Sequence, residues 1–249
     1  MRYDLKEMLY NVKNMLVDAV FPPACPVCGR PLGYDGGQRE RICRECMHKI
    51  KYIKEPYCIK CGKQIDSEAD EYCYDCKRKK HSYDRGVAVY LYTDAVKQSI
   101  YRFKYKNKRE YASFYAHEAA DRYEGLIAQW GIDVIIPVPM FPAKQRRRGY
   151  NQAELIAREL GKCLNIPVNT EILTRSKKTI PMKELNDIER RKNVENAFNI
   201  QINVVKYKKI LLVDDIYTTG STADACATVL KKGGVEQIYL LCLCIGSGI

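Results

Sequence analysis

The sequence contains no uncharged apolar run near the roughly 20 residues that a bilayer-spanning helix needs, so none of its 249 residues is expected to form a transmembrane segment. Its first 20 residues carry Arg2, Asp4, Lys6, Glu7, Lys13 and Asp18, which leaves no uncharged stretch for a secretory signal. Histidine is scarce. Only His48, His81 and His117 occur, none in a recognisable pairing with Ser or Cys, which argues against a triad hydrolase. There is no Gly-Lys-Ser/Thr string, and hence no Walker loop. No helix-turn-helix pattern stands out, which weighs against a transcriptional regulator.

What is present suits a folded protein. A hydrophobic content of 46% supplies a core and 29% charged residues suits a soluble surface, which excludes a disordered chain or a fibrous repeat. The length fits one ordinary domain plus a small second one. A formal charge of +12 points to an anionic partner: phosphate, nucleic acid or an acidic membrane surface.

Cysteine, by contrast, is abundant, with 12 residues. Eight fall in Cys-x-x-Cys pairs: Cys25/Cys28, Cys43/Cys46, Cys58/Cys61 and Cys73/Cys76. A two-residue gap makes a knuckle whose thiolates face one ion, and two knuckles complete a tetrahedral zinc site. Read in order, CPVC-x14-CREC and CIKC-x11-CYDC form two zinc ribbons, with Gly29 and Gly62 where each first knuckle must turn. All-cysteine ligation leaves no open coordination position, so the two expected Zn²⁺ ions are structural. Sequential pairing is the simpler arrangement, although spacing alone also allows a crossed one, such as Cys25/Cys28 with Cys58/Cys61. Reduced thiols and no export signal place the protein in the cytoplasm. Cys163, Cys226, Cys242 and Cys244 read as buried small hydrophobes.

Leu5, Met8, Leu9, Val12, Met15 and Leu16 recur at helical spacing and predict an amphipathic helix over residues 1–22, stopped by Pro22-Pro23. It either packs on its own protein or rests on a membrane surface. Residues 23–81 form the double ribbon, which depends on metal for a core. The basic run KRKK at 77–80 marks a solvated junction, and residues 82–249 alternate strand and helix patterns. Strands are expected at 87–92, 133–138, 209–213 and 238–245, and helices at 95–105, 110–130, 151–164 and 221–232. Strands apolar on both faces, separated by helices, predict a parallel sheet in an α/β domain.

The most informative stretch is ILLVDDIYTTGST, residues 210–222. A buried strand delivers Asp214 and Asp215 at its carboxyl end, where α/β ligand sites lie. Thr218, Thr219, Gly220, Ser221 and Thr222 then run into a helix whose N-terminus, with backbone N–H groups and hydroxyls, wraps an anion. The carboxylates would repel a bare phosphate, but they suit ribose hydroxyls or the water shell of Mg²⁺, with phosphate further along. This stretch resembles the 5-phosphoribosyl-1-pyrophosphate (PRPP) signature of type I phosphoribosyltransferases. It departs from their purine-using members at Thr218, where an Asp usually opens the loop.

Further segments agree. In residues 135–157, a Pro-rich turn at Pro139 precedes Lys144, Arg147, Arg148 and the string RGYNQ, a composition that offers amides and cations to pyrophosphate. Residues 173–198 are polar and basic, with Arg175, Lys177, Lys178, Thr179, Arg190, Arg191 and Asn193, and read as a loop that closes over a phosphorylated ligand. With FPPACPVCG, the paired ribbons, RRGYNQ and the R-x3-T-x10-R-x2-N pattern, the chain resembles the ComF family, also called the GntX-like or competence-protein family. Two positions depart from many of its members: Met182 in place of Gln, and Asn107 in place of Gly, where Asn tolerates left-handed backbone.

The resemblance implies a type I phosphoribosyltransferase-like sheet flanked by helices, carrying the N-terminal helix and the zinc-ribbon module. It also implies cytoplasmic handling of single-stranded DNA during natural transformation, alongside proteins of the DNA-uptake machinery. As an enzyme, the chain would bind Mg²⁺·PRPP and transfer its phosphoribosyl group to a nitrogen acceptor with release of pyrophosphate. As a binding module, it would hold PRPP as a regulator, or no ligand, while a basic surface carries DNA. The segment Arg102, Lys104, Tyr105, Lys106 and Lys108, with Tyr101 and Phe103 interleaved, matches a single-strand path in which rings stack on bases. The same alternation fits a plain amphipathic helix end.

Overall fold

The computed structural model describes residues 22–35, 38–176, 197–201 and 206–246. The predicted N-terminal helix lies outside the described residues apart from Pro22. Contacts divide the chain into two units, Met1–Lys49 and Ile50–Ile249. That boundary separates the two ribbons, which the spacing alone had grouped within 23–81.

In the smaller unit the first knuckle turns at Gly29, whose amide donates to the Cys25 carbonyl at 2.8 Å. A short antiparallel pair follows, β1 (Tyr34–Asp35) with β2 (Gln38–Arg39). The second knuckle opens α1 (Arg44–Met47), with Cys43 in its capping position. Cys25, Val27, Ile42 and Cys46 are buried together as a core too small to hold without metal.

In the larger unit α2 (Tyr74–Arg78) ends the second ribbon and β3 (Arg85–Leu91) opens the α/β part. Then come α3 (Asp94–Tyr105), α4 (Tyr111–Trp130), β4 (Val134–Pro137), α5 (Pro142–Arg148) and α6 (Gln152–Leu164). The chain continues through β5 (Leu173–Arg175), β6 (Phe198–Ile200), β7 (Lys209–Tyr217), α7 (Ser221–Lys232) and β8 (Gln237–Ile245). One parallel sheet has the order β3-β8-β7-β4, as expected for an α/β domain. Its inner strands are apolar on both faces because helices cover both: Ile210 to Val213 and Leu240 to Ile245 are all buried.

Three local features differ from expectation. β7 does not stop at 213 but continues to Tyr217, because β8 keeps offering backbone partners, Cys242 opposite Asp214 and Cys244 opposite Ile216. Where a Pro-rich turn was read, α5 forms. Pro142 sits at its first turn, where a missing N–H costs nothing, and Gly149 closes it in left-handed geometry. The polar stretch 173–198 begins and ends in strands, with β5 antiparallel to β6; residues 177–196 lie outside the described ones.

The second ribbon is built into the sheet's core. Cys58, Cys61 and Cys73 share one buried cluster with Tyr83, Ala88, Leu212 and Tyr217. Gly62 has φ +76°, and a Cβ there would lie 2.5 Å from the Ala88 nitrogen and 2.7 Å from Val87 Cα. The knuckle therefore rests on β3 with no room for a side chain. Gly62→Ala is expected to lower the denaturant midpoint of the zinc-loaded protein by the equivalent of about 3 kcal/mol, from strained backbone plus overpacking. Gly125→Ala, in α4 with nothing within 4 Å of its Cβ, should be neutral or gain up to about 1 kcal/mol.

Candidate functional site

The cysteines form two sequential tetrads, Cys25, Cys28, Cys43, Cys46 and Cys58, Cys61, Cys73, Cys76, with the Sγ atoms of each within 4.8 Å of one another. The crossed pairing is thereby excluded. Cys28 and Cys43 are 3.8 Å apart and Cys61 and Cys73 3.7 Å, close to the ~3.8 Å edge of a tetrahedron with 2.3 Å Zn–S bonds. The donor sets fit Zn²⁺ as a structural ion. Of the remaining thiols, Cys226, Cys242 and Cys244 are buried as expected, whereas Cys163 is half-exposed near the end of α6.

Asp214 and Asp215 stand where β7 leaves the apolar layer. They are consecutive residues of the strand, with the Asp215 amide donating to Asp214 Oδ1 at 2.8 Å. Burial and the Asp215 charge push the Asp214 carboxyl up to about 7, against the pull of Lys104 and Arg175. Asp215 Oδ2 is paired with Lys104 Nζ at 2.8 Å, both groups largely shielded from solvent.

The loop after β7 exposes Thr218 and Thr219 and turns at Gly220, whose carbonyl accepts the first helical bond of α7, from Asp224. Gly220 must be glycine: φ is +73° and a Cβ would lie 2.4 Å from the Tyr217 hydroxyl. Thr219 Oγ1 and Ser221 Oγ meet at 2.9 Å, next to the N-terminus of α7, where the helix dipole favours an anion.

Across from the acids, cations gather from three elements. Lys144 lies on α5, its ammonium drawn below the ordinary range by desolvation and by the charges of Arg148 and Lys104. Arg175, half-buried on β5, stacks its guanidinium 5.3 Å from the Phe198 ring and is also drawn down by desolvation. Pro139 and Arg175 line a shared cavity of ≈ 210 Å³ together with Asn151. Arg147 is exposed on α5. Arg190 and Arg191 lie outside the described residues.

The string RGYNQ turns out to be scaffolding for this corner. Asn151 Nδ2 donates to the Val138 carbonyl at 3.0 Å, fixing the turn after β4. Fully buried Gln152 accepts a hydrogen bond from Arg148. Tyr150, in the link after α5, donates to the Phe103 carbonyl and so ties that link to α3. The string was legible as a signature; the work of Asn151 and Gln152 was not, because their partners lie on other elements.

The segment expected to meet nucleic acid divides. Phe103 is core and Lys104 turns to Asp215. Arg102, Lys106 and Lys108 line a surface cavity of ≈ 760 Å³ with Lys97 and Tyr101. Tyr105 is 55% exposed and Tyr101 53%, with ring centroids 5.0 Å apart; Arg148 lies 4.8 Å over the Tyr105 ring. Asn107 adopts φ 51°, the left-handed geometry anticipated for it.

Comparison with known proteins agrees with these features. The phosphoribosyl transferase domain family matches residues 106–247, and the double zinc ribbon domain family matches residues 16–77. The chain is 36% identical to Competence protein F of Haemophilus influenzae over 207 residues, 80% of this chain and 88% of that protein. It is 29% identical to DNA utilization protein YhgH of Escherichia coli (strain K12), over 90% of this chain and 97% of that one. Competence protein ComFC of Bacillus subtilis (strain 168) is 28% identical, over 80% and 82%.

Native mass spectrometry of the full chain is expected to show two zinc ions. Cys73→Ser should keep one and lose stability, since its thiol sits in the sheet's own core.

Proposed function

The chain belongs to the ComF family of phosphoribosyltransferase-fold proteins, and from that premise we propose that it binds PRPP at the β7–α7 loop and handles single-stranded DNA in the cytoplasm during DNA uptake. The observation that carries this is the sequence of groups along β7 and its loop: a carboxylate pair at the strand's end, then a hydroxyl-rich turn onto a helix N-terminus, facing Lys104, Lys144, Arg148 and Arg175. Only a ligand with a diol between two phosphate groups uses all three parts.

In this arrangement the 5-phosphate rests on Thr218, Thr219, Gly220, Ser221 and Thr222, and the ribose hydroxyls on Asp214 and Asp215. Pyrophosphate meets the Pro139 turn, Lys144, Arg147, Arg148 and Arg175, with Arg190 and Arg191 as the further cations proposed from the sequence. The all-oxygen donors of the acid pair suit Mg²⁺, which when bound with PRPP offsets pyrophosphate charge. Transfer would break the C1–O bond to pyrophosphate as a nitrogen nucleophile bonds to C1. Lys144 and the arginines would stabilise the negative charge that develops on the leaving group.

The names of the relatives, competence and DNA utilization proteins, support a DNA-handling role, shared with uptake-machinery partners. The exposed Tyr101–Tyr105 pair beside Arg102, Lys106 and Lys108 offers the surface for it, rings for bases and cations for phosphates. That surface also favours a second reading, a non-catalytic single-strand binder that uses PRPP as a signal.

Calorimetric titration of Mg²⁺·PRPP into zinc-loaded protein is expected to saturate, and Asp214→Asn/Asp215→Asn to abolish binding. No binding to folded wild type would remove the PRPP assignment. Because Asp214 must ionise, affinity should rise about tenfold from pH 6 to 8, with close to one proton released on binding at pH 6 and almost none at pH 8. The sign is opposite for the unliganded fold. Its Asp214 holds a proton more tightly than the unfolded chain, from 3.8 up to about 7, so it loses stability as pH rises through that window.

For DNA, Tyr101→Ala/Tyr105→Ala should weaken a labelled oligothymidine at least about tenfold with little change in salt slope. Lys106→Ala should lower the slope by about 1. Unchanged affinity in both would leave the groove without this role.

A further inference from the structure

The residues that leave the second ribbon do more than join it to β3. Lys79, inside the run read as a solvated junction, donates to the Thr219 carbonyl at 3.1 Å and pairs with Asp224 Oδ2 at 3.0 Å. The His81 ring, 1% exposed, places Nδ1 2.8 Å from the same carboxylate. The Ser82 amide donates to Asp224 Oδ1 at 3.0 Å, and its hydroxyl meets Thr228 Oγ1 at 2.8 Å. Tyr83 and Tyr217 share a buried hydroxyl contact of 2.9 Å. A Cβ on Gly220 would come within 3.0 Å of His81 Cε1 as well as striking Tyr217. The loop that turns onto α7 is thus held on one side by its own helix and on the other by the ribbon's exit.

Between ribbon and loop lies a cavity of ≈ 560 Å³, bounded by Arg78, Lys79 and His81 on one side and Thr218, Thr219 and Ser221 on the other. Two zinc ligands, Cys61 and Cys76, reach its wall. Asp224 sits in the first turn of α7, where an uncompensated carboxylate would repel an anion on the loop. Lys79 and His81 hold its charge and its direction, keeping the Asp224 carboxyl below its ordinary range although burial alone pushes it up. The five-residue helix α2 that carries Cys76 and leads into Lys79 is too short to stand without the metal.

We infer that the second zinc ribbon is part of the phosphate site: Lys79 and His81 act through Asp224 and the Thr219 carbonyl as positioning residues for the loop. Zinc in the Cys58–Cys61–Cys73–Cys76 tetrad and a sugar phosphate on the loop then bind with positive coupling. This rests on the PRPP assignment made above and adds to it a dependence on one of the two metal ions.

The test uses the zinc-loaded full chain with two probes in turn, ribose 5-phosphate for the loop and inorganic pyrophosphate for the Lys144–Arg148 side. Lys79→Met is expected to weaken ribose 5-phosphate about tenfold and pyrophosphate less than about twofold. Lys79→Met and Asp224→Asn together should fall short of their summed effects, as partners in one contact do. Coupling is reciprocal, so ribose 5-phosphate should slow transfer of one zinc, and not the other, to a chromogenic chelator. Equal weakening of both probes, unchanged ribose 5-phosphate affinity, or zinc transfer indifferent to ribose 5-phosphate would each overturn the inference. Wild type that binds neither probe would instead overturn the PRPP assignment beneath it.

Discussion

The larger unit depends on one strand that is paired on both sides over its first half and on one side beyond it. β7 lies between β8 and β4, and its first residues, Ile210 to Val213, are fully buried. No side chain there can be polar without an uncompensated cost. β4 stops pairing at Pro137, opposite Val213, while β8 continues to Ile245, opposite Tyr217. The strand therefore runs out of cover on one edge just as its acids begin. That difference in neighbour length holds Asp214 and Asp215 rigidly on paired backbone while opening them to the turn after β4. A loop could bring the same carboxylates to the same place, but not with the same fixed direction.

The second ribbon extends this logic to the other side of the loop between β7 and α7. Small metal modules are usually independent beads, because the ion replaces the core they lack. Here Cys58, Cys61 and Cys73 share the sheet's own buried cluster, and Gly62 lets the knuckle rest on the backbone of β3. The ion's cross-link is thus part of the α/β core. The ribbon of the smaller unit has the same ligand pattern and a core of its own. The same paired Cys-x-x-Cys pattern thus serves two ribbons whose surroundings differ at each knuckle.

Much of this was legible in the residues. Apolar runs of four or more with helices between them gave the parallel sheet. The Cys-x-x-Cys spacing gave both tetrads, and the string from Ile210 to Thr222 gave a strand ending in two acids and a hydroxyl-rich turn onto a helix. What escaped was whatever depends on contacts between distant residues. Lys79 and Thr219, or His81 and Asp224, are about 140 positions apart, and no periodicity reports such a pair. Lys104 was grouped with neighbouring cations because composition carries no direction, yet helical geometry turns it inward beside Phe103 while Tyr101 and Tyr105 face out. The short helix α5 was hidden by its prolines, which read as a turn until Pro142 is seen at a helix start.

Charge balance at the end of β7 explains why so many ionisable groups can crowd there. Asp215 already has a counter-ion in Lys104, and Asp214 takes the other course open to a buried acid beside a like charge, holding its proton near neutrality. Lys144 and Arg175 are both drawn below their ordinary range by desolvation, Lys144 also by the neighbouring Arg148 and Lys104 charges. An uncharged ligand would leave these imbalances in place, and a cation alone would relieve only the acids. A ligand with a metal-bridged diol and a pyrophosphate relieves them together, since it gives the acids a cation and the cations an anion. On the proposed assignment, Lys104 is the group that must change partners, passing from Asp215 toward pyrophosphate as the metal arrives. On the same assignment, the whole ligand is favoured over its separate halves because only it meets the acids and the cations together.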